Sequence, residues 1–303
     1  MSVAKQPKLV CIGGGHGLSA ALRAARQVSP FVTAVVTAAD DGGSSGVLRQ
    51  HLGIPAPGDL RMAIAALAPD AEREFMIQYR PPDDGTFGGH PIGNTLIAAL
   101  AQRHDDFGRA VQQVAELVGC VGTVIPASLE PVDLCARIAG HEFVGQVSIA
   151  RGPAAVDELW LDPAVPATPA AIDALLEADL VVLGPGSLFT SLIAALLPKG
   201  FAESITAAQR VVFVMNLGEQ DGETLGMDAA AHVEALRRHV PGIRIDAVLI
   251  HDGSSEGVPR PILIDEEALG AMHAPVVYAP LVEGRRSVHE PRLLADALRE
   301  LLR

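Results

Sequence analysis

Two adjacent carboxylates, Asp40 and Asp41, close the apolar run VVTAA and lead straight into Gly42, Gly43, Ser44, Ser45 and Gly46. Acids at the carboxyl end of a strand can accept from the hydroxyls of a sugar or hold a cation. The glycines let backbone N–H groups approach a ligand with no Cβ in the way, and the serines add hydroxyl donors. An earlier stretch, Gly13-Gly14-Gly15-His16-Gly17, follows another apolar run and precedes a segment with Leu18, Ala21, Leu22 and Ala25 on one helical face. A strand, a glycine loop and a helix in that order set free N–H groups and the positive end of the helix dipole beside the strand end, where they favour phosphate. Asp40 comes a little over twenty residues after that loop, the spacing at which Rossmann proteins place an acid for ribose hydroxyls. A carboxylate about 4 Å from a phosphate oxygen costs about 4 kcal/mol at an effective dielectric of 20. The aspartates therefore either face a sugar or hold a cation such as Mg2+ against the phosphate, and the sequence leaves both open. For the cation, the expected ligands are Asp40 and Asp41.

Further polar residues stand at other element ends. Pro57-Gly58 turns the chain, Asp59 is placed to cap a helix, and Arg61 lies in that helix's first turn, where a cation opposes the dipole and an anion nearby would explain it. His90, Gly93 and Asn94 open another helix. Gly184, Gly186 and Ser187 follow the strand Leu180 to Leu183 and suggest a second anion cradle facing the first. Asn216 ends the strand Val211 to Met215, and His251 to Ser255 tips the strand Ile245 to Ile250.

Strands of Val, Ile and Leu alternating with amphipathic helices predict an α/β fold: a Rossmann-like open, mostly parallel sheet with helices on both faces. Its ligand crevice lies beyond the carboxyl ends of the strands. The stretches 132–137, 143–150 and 156–161 read as short antiparallel strands, a β-rich excursion over about 128–162, and DPAVPATP at 162–169 reads as a stiff linker. The whole chain, 1–303, is expected to form one Rossmann-like domain with a helical insertion over about 56–118. Asp83 to Gly89 reads as a mobile loop. Trp160 is expected to anchor packing in the excursion.

The net charge of −13 and the absence of Lys and Arg clusters argue against a nucleic-acid partner. No apolar run reaches the ~20 residues of a membrane span, and the start of the chain has no signal-peptide core, so a cytoplasmic protein is expected. Cys11, Cys120 and Cys135 are widely spaced among apolar residues and predict buried thiols rather than a disulfide or zinc site. A homodimer is compatible with the sequence and not required by it. No NAD is expected, because Leu18 stands where a G-x-G-x-x-G fingerprint would want its third glycine.

The blocks GGGHGLS, VVTAADDGGSSGVLR, PGDLR, GHPIGN, ADLVVLGPGSLFTSLI and MNLGEQDGET resemble, in order and spacing, the YvcK-type gluconeogenesis factors of the CofD-like superfamily, whose founding enzyme is 2-phospho-L-lactate transferase. The resemblance implies a cytoplasmic protein that binds UDP-sugars such as UDP-N-acetylglucosamine and supports cell shape during growth on gluconeogenic carbon. The alternative it implies is Mg2+-dependent phospholactyl transfer to a deazaflavin acceptor. This chain departs from the family pattern at His16, where a threonine is usual, at Met62, where an asparagine is usual, and in GEQDGET, which lacks a threonine. Val288-His289-Glu290 replaces an Arg-His-Asp run, with Arg285 or Arg286 as candidate substitutes.

Overall fold

The computed structural model describes residues 6–82, 88–253, 256–284 and 287–303. Asp83 to Phe87 of the expected loop, Ser254 and Ser255 of the fifth strand tip, and Arg285 and Arg286 lie outside the described residues.

In chain order the elements are β1 (Leu9–Gly13), α1 (Gly15–Val28), β2 (Val32–Val36), α2 (Gly43–Leu52), α3 (Gly58–Ala66), α4 (Ala71–Gln78), α5 (Ile92–His104), α6 (Phe107–Val118) and β3 (Thr123–Pro126). Next come β4 (Asp133–Ile138), β5 (His141–Val144), α7 (Gln146–Ile149), β6 (Glu158–Asp162), α8 (Pro169–Leu176) and β7 (Leu180–Leu183). A π-helical turn (Leu188–Ile193) runs into α9 (Ala194–Leu196), followed by α10 (Phe201–Ile205), β8 (Val211–Val214), α11 (Ala229–His239), β9 (Ala247–His251), α12 (Glu266–Ala271), β10 (Val276–Ala279) and α13 (Pro291–Leu301).

Seven strands form one sheet in the order β10-β9-β8-β7-β1-β2-β3, and every pairing in it is parallel. The central strands LVCIG, LVVL and VVFV are buried throughout, because helices cover both faces and a doubly covered strand has no polar side. Alternation along β1 sends Val10 and Ile12 into one core and Leu9 and Cys11 into the other. Leu18 and Leu22 of α1 are fully buried in that second core, each contributing roughly 1.5–3 kcal/mol by burial. Among the described residues no helix is long and apolar enough to cross a membrane.

The chain leaves β1 toward β2 and β3, then returns to β7 on the other side of β1 and proceeds outward to β8, β9 and β10. The connections after β1 and β7 therefore diverge from neighbouring strands, and this switch point is where open α/β sheets bind ligands. The backbones of the two loops touch there. A Cβ on Gly17 would stand 2.2 Å from the Pro185 carbonyl oxygen and 2.6 Å from the Gly186 Cα.

The structure corrects several expectations. The Gly-Ser stretch after Asp41, read from its composition only as glycines open to a ligand and serine donors, is the start of α2. Gly42 N–H is fastened to Asp40 Oδ1 at 2.9 Å, and Gly46 allows the helix to press on the Asp41 carbonyl, where a Cβ would come within 2.1 Å. The segment 143–150 is a strand only as far as Val144 and then forms the one-turn helix α7. The antiparallel order β5-β4-β6 stands as expected. The expected linker is packed: Val165, Ala167 and Thr168 are buried, and Thr168 Oγ1 donates to the Pro126 carbonyl at 2.5 Å. Trp160 is half-buried, with the Arg137 guanidinium 5.8 Å from its ring centre. The three thiols are free.

Gly17→Ala should lower stability by about 2–3 kcal/mol in a urea melt, since the rigid backbone of the second loop must move to admit the methyl group. Gly270→Ala, at an exposed helical position with nothing near its Cβ, should stabilise by about 0.5–1 kcal/mol. Equal effects from the two substitutions would contradict the loop contact.

Candidate functional site

The residues singled out in the sequence fall into two groups on either side of the touching loops. On the β2 side stand Asp40, Ser44, Ser45, Gly58, Asp59, Arg61, His90 and Asn94. On the β8 side stand His16, Gly186 and Asn216, around a cleft of about 290 Å3 that is also lined by Leu217, Gln220, Val258 and His289; Ser187 lies outside its lining and bonds to Gln220.

Asp40 and Asp41 diverge. Asp40 turns inward, and a Cβ on Gly58 would stand 2.7 Å from its Oδ2 and 2.2 Å from Ser45 Oγ. Asp41 instead accepts from the Val147 N–H at 3.0 Å, with its Oδ2 pressed against Gly145. It caps α7 and ties the small sheet to the β2 loop. A cation shared by Asp40 and Asp41 is thus not what the structure presents. The partner of Asp40 is Asp59, which is not a helix cap. Pro57 takes the N-cap position of α3, and Asp59 is the second residue of the helix, in its first turn, with only 9% of its surface exposed. Its Oδ2 has no hydrogen-bond partner and lies 2.2 Å from where a Cβ on Gly14 would be. Burial, and next the charge of Asp40, push its carboxyl up to about 7, against the opposing pull of the Gly15 N–H and Arg61.

A directed chain of hydrogen bonds occupies the rest of this side. Arg61 Nε donates to Asn94 Oδ1 at 3.0 Å, Asn94 Nδ2 donates to Ser44 Oγ at 3.0 Å, and Ser44 Oγ meets His90 Nδ1 at 2.8 Å. Since Asn94 already donates to the serine oxygen, the serine proton is free to point at His90. Asn94 is buried inside α5, whose N-cap is Pro91, so its amide reads neighbours instead of capping. Gly93 is required there because a Cβ would come within 2.7 Å of Arg61 Cγ.

The second glycine loop is not an open anion cradle. Glu223, buried at 4% exposure, accepts from the backbone N–H groups of Phe189 and Thr190, each at 3.2 Å, and from Thr190 Oγ1 at 2.6 Å. Gly186 N–H donates to Asn216 Oδ1 at 2.9 Å, and Gln220 Nε2 donates to Ser187 Oγ at 3.1 Å. The protein's own carboxylate thus fills the helix N-terminus that the sequence assigned to a ligand. Gly13 and Gly184 shape the backbone at left-handed or near-extended angles, φ 152° and 73°, and Gly15 and Gly43 likewise at 62° and 44°. His289, lining the cleft, is held at about 4 by burial, with the Met215 carbonyl opposing.

Glu223 and Gln220 belong to GEQDGET, which the sequence flagged without assigning them roles. Val258 and His289 carried no such signal. Among the described residues no three His, Cys, Asp or Glu side chains stand together as a ready-made metal site. The Asp40–Asp59 pair fits Mg2+, which takes one or two carboxylates and completes its shell with water and ligand phosphate. The unpartnered Asp59 Oδ2 is the atom such an ion would satisfy.

The family model described as 2-phospho-L-lactate transferase CofD matches residues 9–282. The gluconeogenesis factor of Bacillus subtilis is 37% identical, with 99% of each chain covered. That of Listeria innocua is 37% identical over 90% of this chain and 85% of its own. The crystal structure of a UPF0052 family member from Bacillus halodurans superposes with a TM-score of 0.91 at 32% identity, covering 97% of this chain and 99% of that one.

Asp59 ties the site to stability. In the unfolded chain its carboxyl ionises near 3.8 and in the folded protein near 7, so between those values the folded state keeps a proton that the unfolded state has lost. Stability from this group is full below about pH 4 and falls as pH rises toward 7, by up to about 4 kcal/mol. Asp59→Asn should therefore melt higher than the parent at pH 8 without Mg2+, with the gap closing toward pH 4. A parent that melts higher at pH 8 would contradict the buried, unsatisfied charge.

Proposed function

The chain belongs to the CofD family, and from that premise and the Asp40–Asp59 pair we propose that its crevice binds Mg2+ with a nucleoside diphosphate sugar of the UDP-N-acetylglucosamine kind. The observation that carries this reading is the buried, unpartnered carboxylate oxygen of Asp59 beside Asp40, placed over Gly14 at the start of α1. Two acids at a helix N-terminus repel a phosphate unless a cation stands between them. Mg2+ held by Asp40 and Asp59 would supply a Lewis acid to the diphosphate. Asp40 and Asp59 would hold the ion, Gly15, with open space where its Cβ would stand, would face the diphosphate, and the cleft of about 290 Å3 takes the nucleoside between Asn216 and the apolar Leu217, Val258 and Val288.

The relatives named gluconeogenesis factors support a role in gluconeogenic growth; that this role is regulatory, cytoplasmic and couples nucleotide-sugar supply to cell shape is our proposal and rests on the resemblance of the motif blocks. A second reading is Mg2+-dependent group transfer to an acceptor hydroxyl, after the description of the family. The Ser44–His90 contact at 2.8 Å favours it, since an imidazole at that distance from a hydroxyl can take up a proton. On the β2 side His90 meets Ser44 and, among the described residues, no orienting carboxylate, which favours binding without turnover.

Calorimetry with UDP-N-acetylglucosamine should give saturable, Mg2+-dependent binding that Asp40→Asn and Asp59→Asn each weaken at least tenfold, with the nucleotide sugar recovered unchanged. Because Asp59 must lose its proton to hold the ion, Mg2+ affinity should fall about tenfold per pH unit below 7. Mg2+-independent binding would refute the acid-pair site, and release of UMP or UDP at enzyme-like rates would decide for group transfer.

A further inference from the structure

We propose that His289 reads the base of the bound nucleotide, its bare Nδ1 accepting from a ring N–H in the cleft, so that the site takes uracil or guanine in preference to cytosine or adenine. This deepens the reading above and rests on it for the nucleoside in this cleft.

His289 lines the cleft and is only 8% exposed. It is held from two elements. The next residue, Glu290, is the N-cap of α13 and donates its N–H to the Leu281 carbonyl at 2.8 Å. On the other side His289 Nε2 lies 3.1 Å from the carbonyl oxygen of Met215, just past the end of β8. A carbonyl can only accept, so Nε2 carries the ring proton. Burial, opposed by that same contact, holds the imidazole at about 4 and so keeps it neutral. Nδ1 is then a lone-pair acceptor whose direction is fixed by the bond that the other nitrogen makes. Among the described residues it has no hydrogen-bond partner. His232 and His239 also leave one ring nitrogen without a partner, but those atoms are fully enclosed by the protein. The His289 Nδ1 is not enclosed, and the space that its residue borders is the cleft.

The other polar side chains of the cleft are committed to the protein. Asn216 accepts from the Gly186 N–H at 2.9 Å and donates to the Gly186 carbonyl at 2.8 Å. Gln220 Nε2 donates to Ser187 Oγ at 3.1 Å, and its Oε1 faces Asn216 Nδ2 at 3.4 Å. Glu219 Oε2 accepts from the Gly226 N–H at 3.1 Å, and His16 is exposed. Ala20, Pro185, Leu217, Val258 and Val288 make the apolar part of the lining. A largely apolar slot with one bare, oriented acceptor fits a flat heterocycle that carries an N–H in its ring. Uracil offers one at N3 and guanine at N1. The corresponding nitrogens of cytosine and adenine carry lone pairs, which would face the Nδ1 lone pair and leave a nearly buried acceptor unpaired. Sites built around such a bond reject a ligand lacking the partner far more strongly than an apolar slot rejects a change of shape.

The test is calorimetry of the full chain in Mg2+ with UDP, CDP, N3-methyl-UDP, GDP and ADP as separate titrants, on the parent and on His289→Gln. The glutamine amide N–H can replace the bond to Met215 while the acceptor at Nδ1 is removed. The parent should bind UDP roughly ten- to hundredfold more tightly than CDP or N3-methyl-UDP, and His289→Gln should bring UDP down to the level of the other two. If that variant is poorly folded, nitrogen NMR of the parent's histidines decides: the signal of the bare His289 nitrogen should shift with UDP and stay in place with CDP. A parent that binds UDP and CDP alike, or a folded His289→Gln that keeps the preference, overturns the assignment and leaves the nucleotide-sugar reading standing. If GDP binds in preference to ADP, the preference is lost in His289→Gln and no uridine nucleotide binds, the role of His289 stands and the uridine reading falls. Failure of the parent to bind any of these nucleotides overturns both.

Discussion

Both glycine loops at the switch point carry a carboxylate of the protein at the helix N-terminus that follows them, and the rest of the site is arranged around that fact. Glu223 is bonded to the N–H groups of Phe189 and Thr190, and it is satisfied. Asp59 stands over Gly14 with an oxygen that has no partner. The difference between the two separates scaffold from site. A fully hydrogen-bonded buried carboxylate stabilises the loop it caps, whereas an unsatisfied one costs free energy until something binds it. The first fixes the shape of the second loop, and the backbone contact between Gly17 and Pro185 passes that shape to the first.

The stretch between β2 and β3 supplies nearly all of the polar groups on the acid side. Instead of one crossover helix it holds α2 to α6, and these pack so that Ser44 from α2, Arg61 from α3 and Asn94 from α5 meet in one chain of hydrogen bonds. Helices built on such neighbours hold side chains more firmly than loops do, because each is fixed by its own turn as well as by its partner. The Gly-Ser composition of the α2 start is explained by packing. Gly46 lies against the Asp41 carbonyl and Gly58 against Ser45 and Asp40, contacts that no side chain would permit.

How much of this could be read from the sequence depends on range. The parallel sheet was legible because β1, β7 and β8 are buried on both faces and so appear as unbroken apolar runs; α1 was legible from its periodicity. Most of the residues brought to the crevice were legible too, since glycine and acid at a strand's end have few structural uses. The roles were less so. Asp40 and Asp41 are neighbours in sequence and point to different partners, while Asp40 and Asp59 are paired by the fold. The start of α2 was not legible in its Gly and Ser residues, because local propensity gives way to tertiary contact.

The electrostatics of the crevice follow from these placements. A chain of net charge −13 repels a diphosphate at long range, so the attraction must be built at short range, where screening by salt is weak and burial strengthens each charge. Helix dipoles alone cannot supply it, since one of the two N-termini is neutralised by Glu223 and the other faces Asp59. Acids close to a phosphate are useful only with a cation between them, so on the proposed reading binding depends on Mg2+ and on the loss of a proton from Asp59. A site of this kind discriminates against a bare anion and against a free sugar alike. On the proposed reading it would take the metal complex of a phosphorylated ligand, because that complex satisfies the Asp59 oxygen that the protein leaves without a partner.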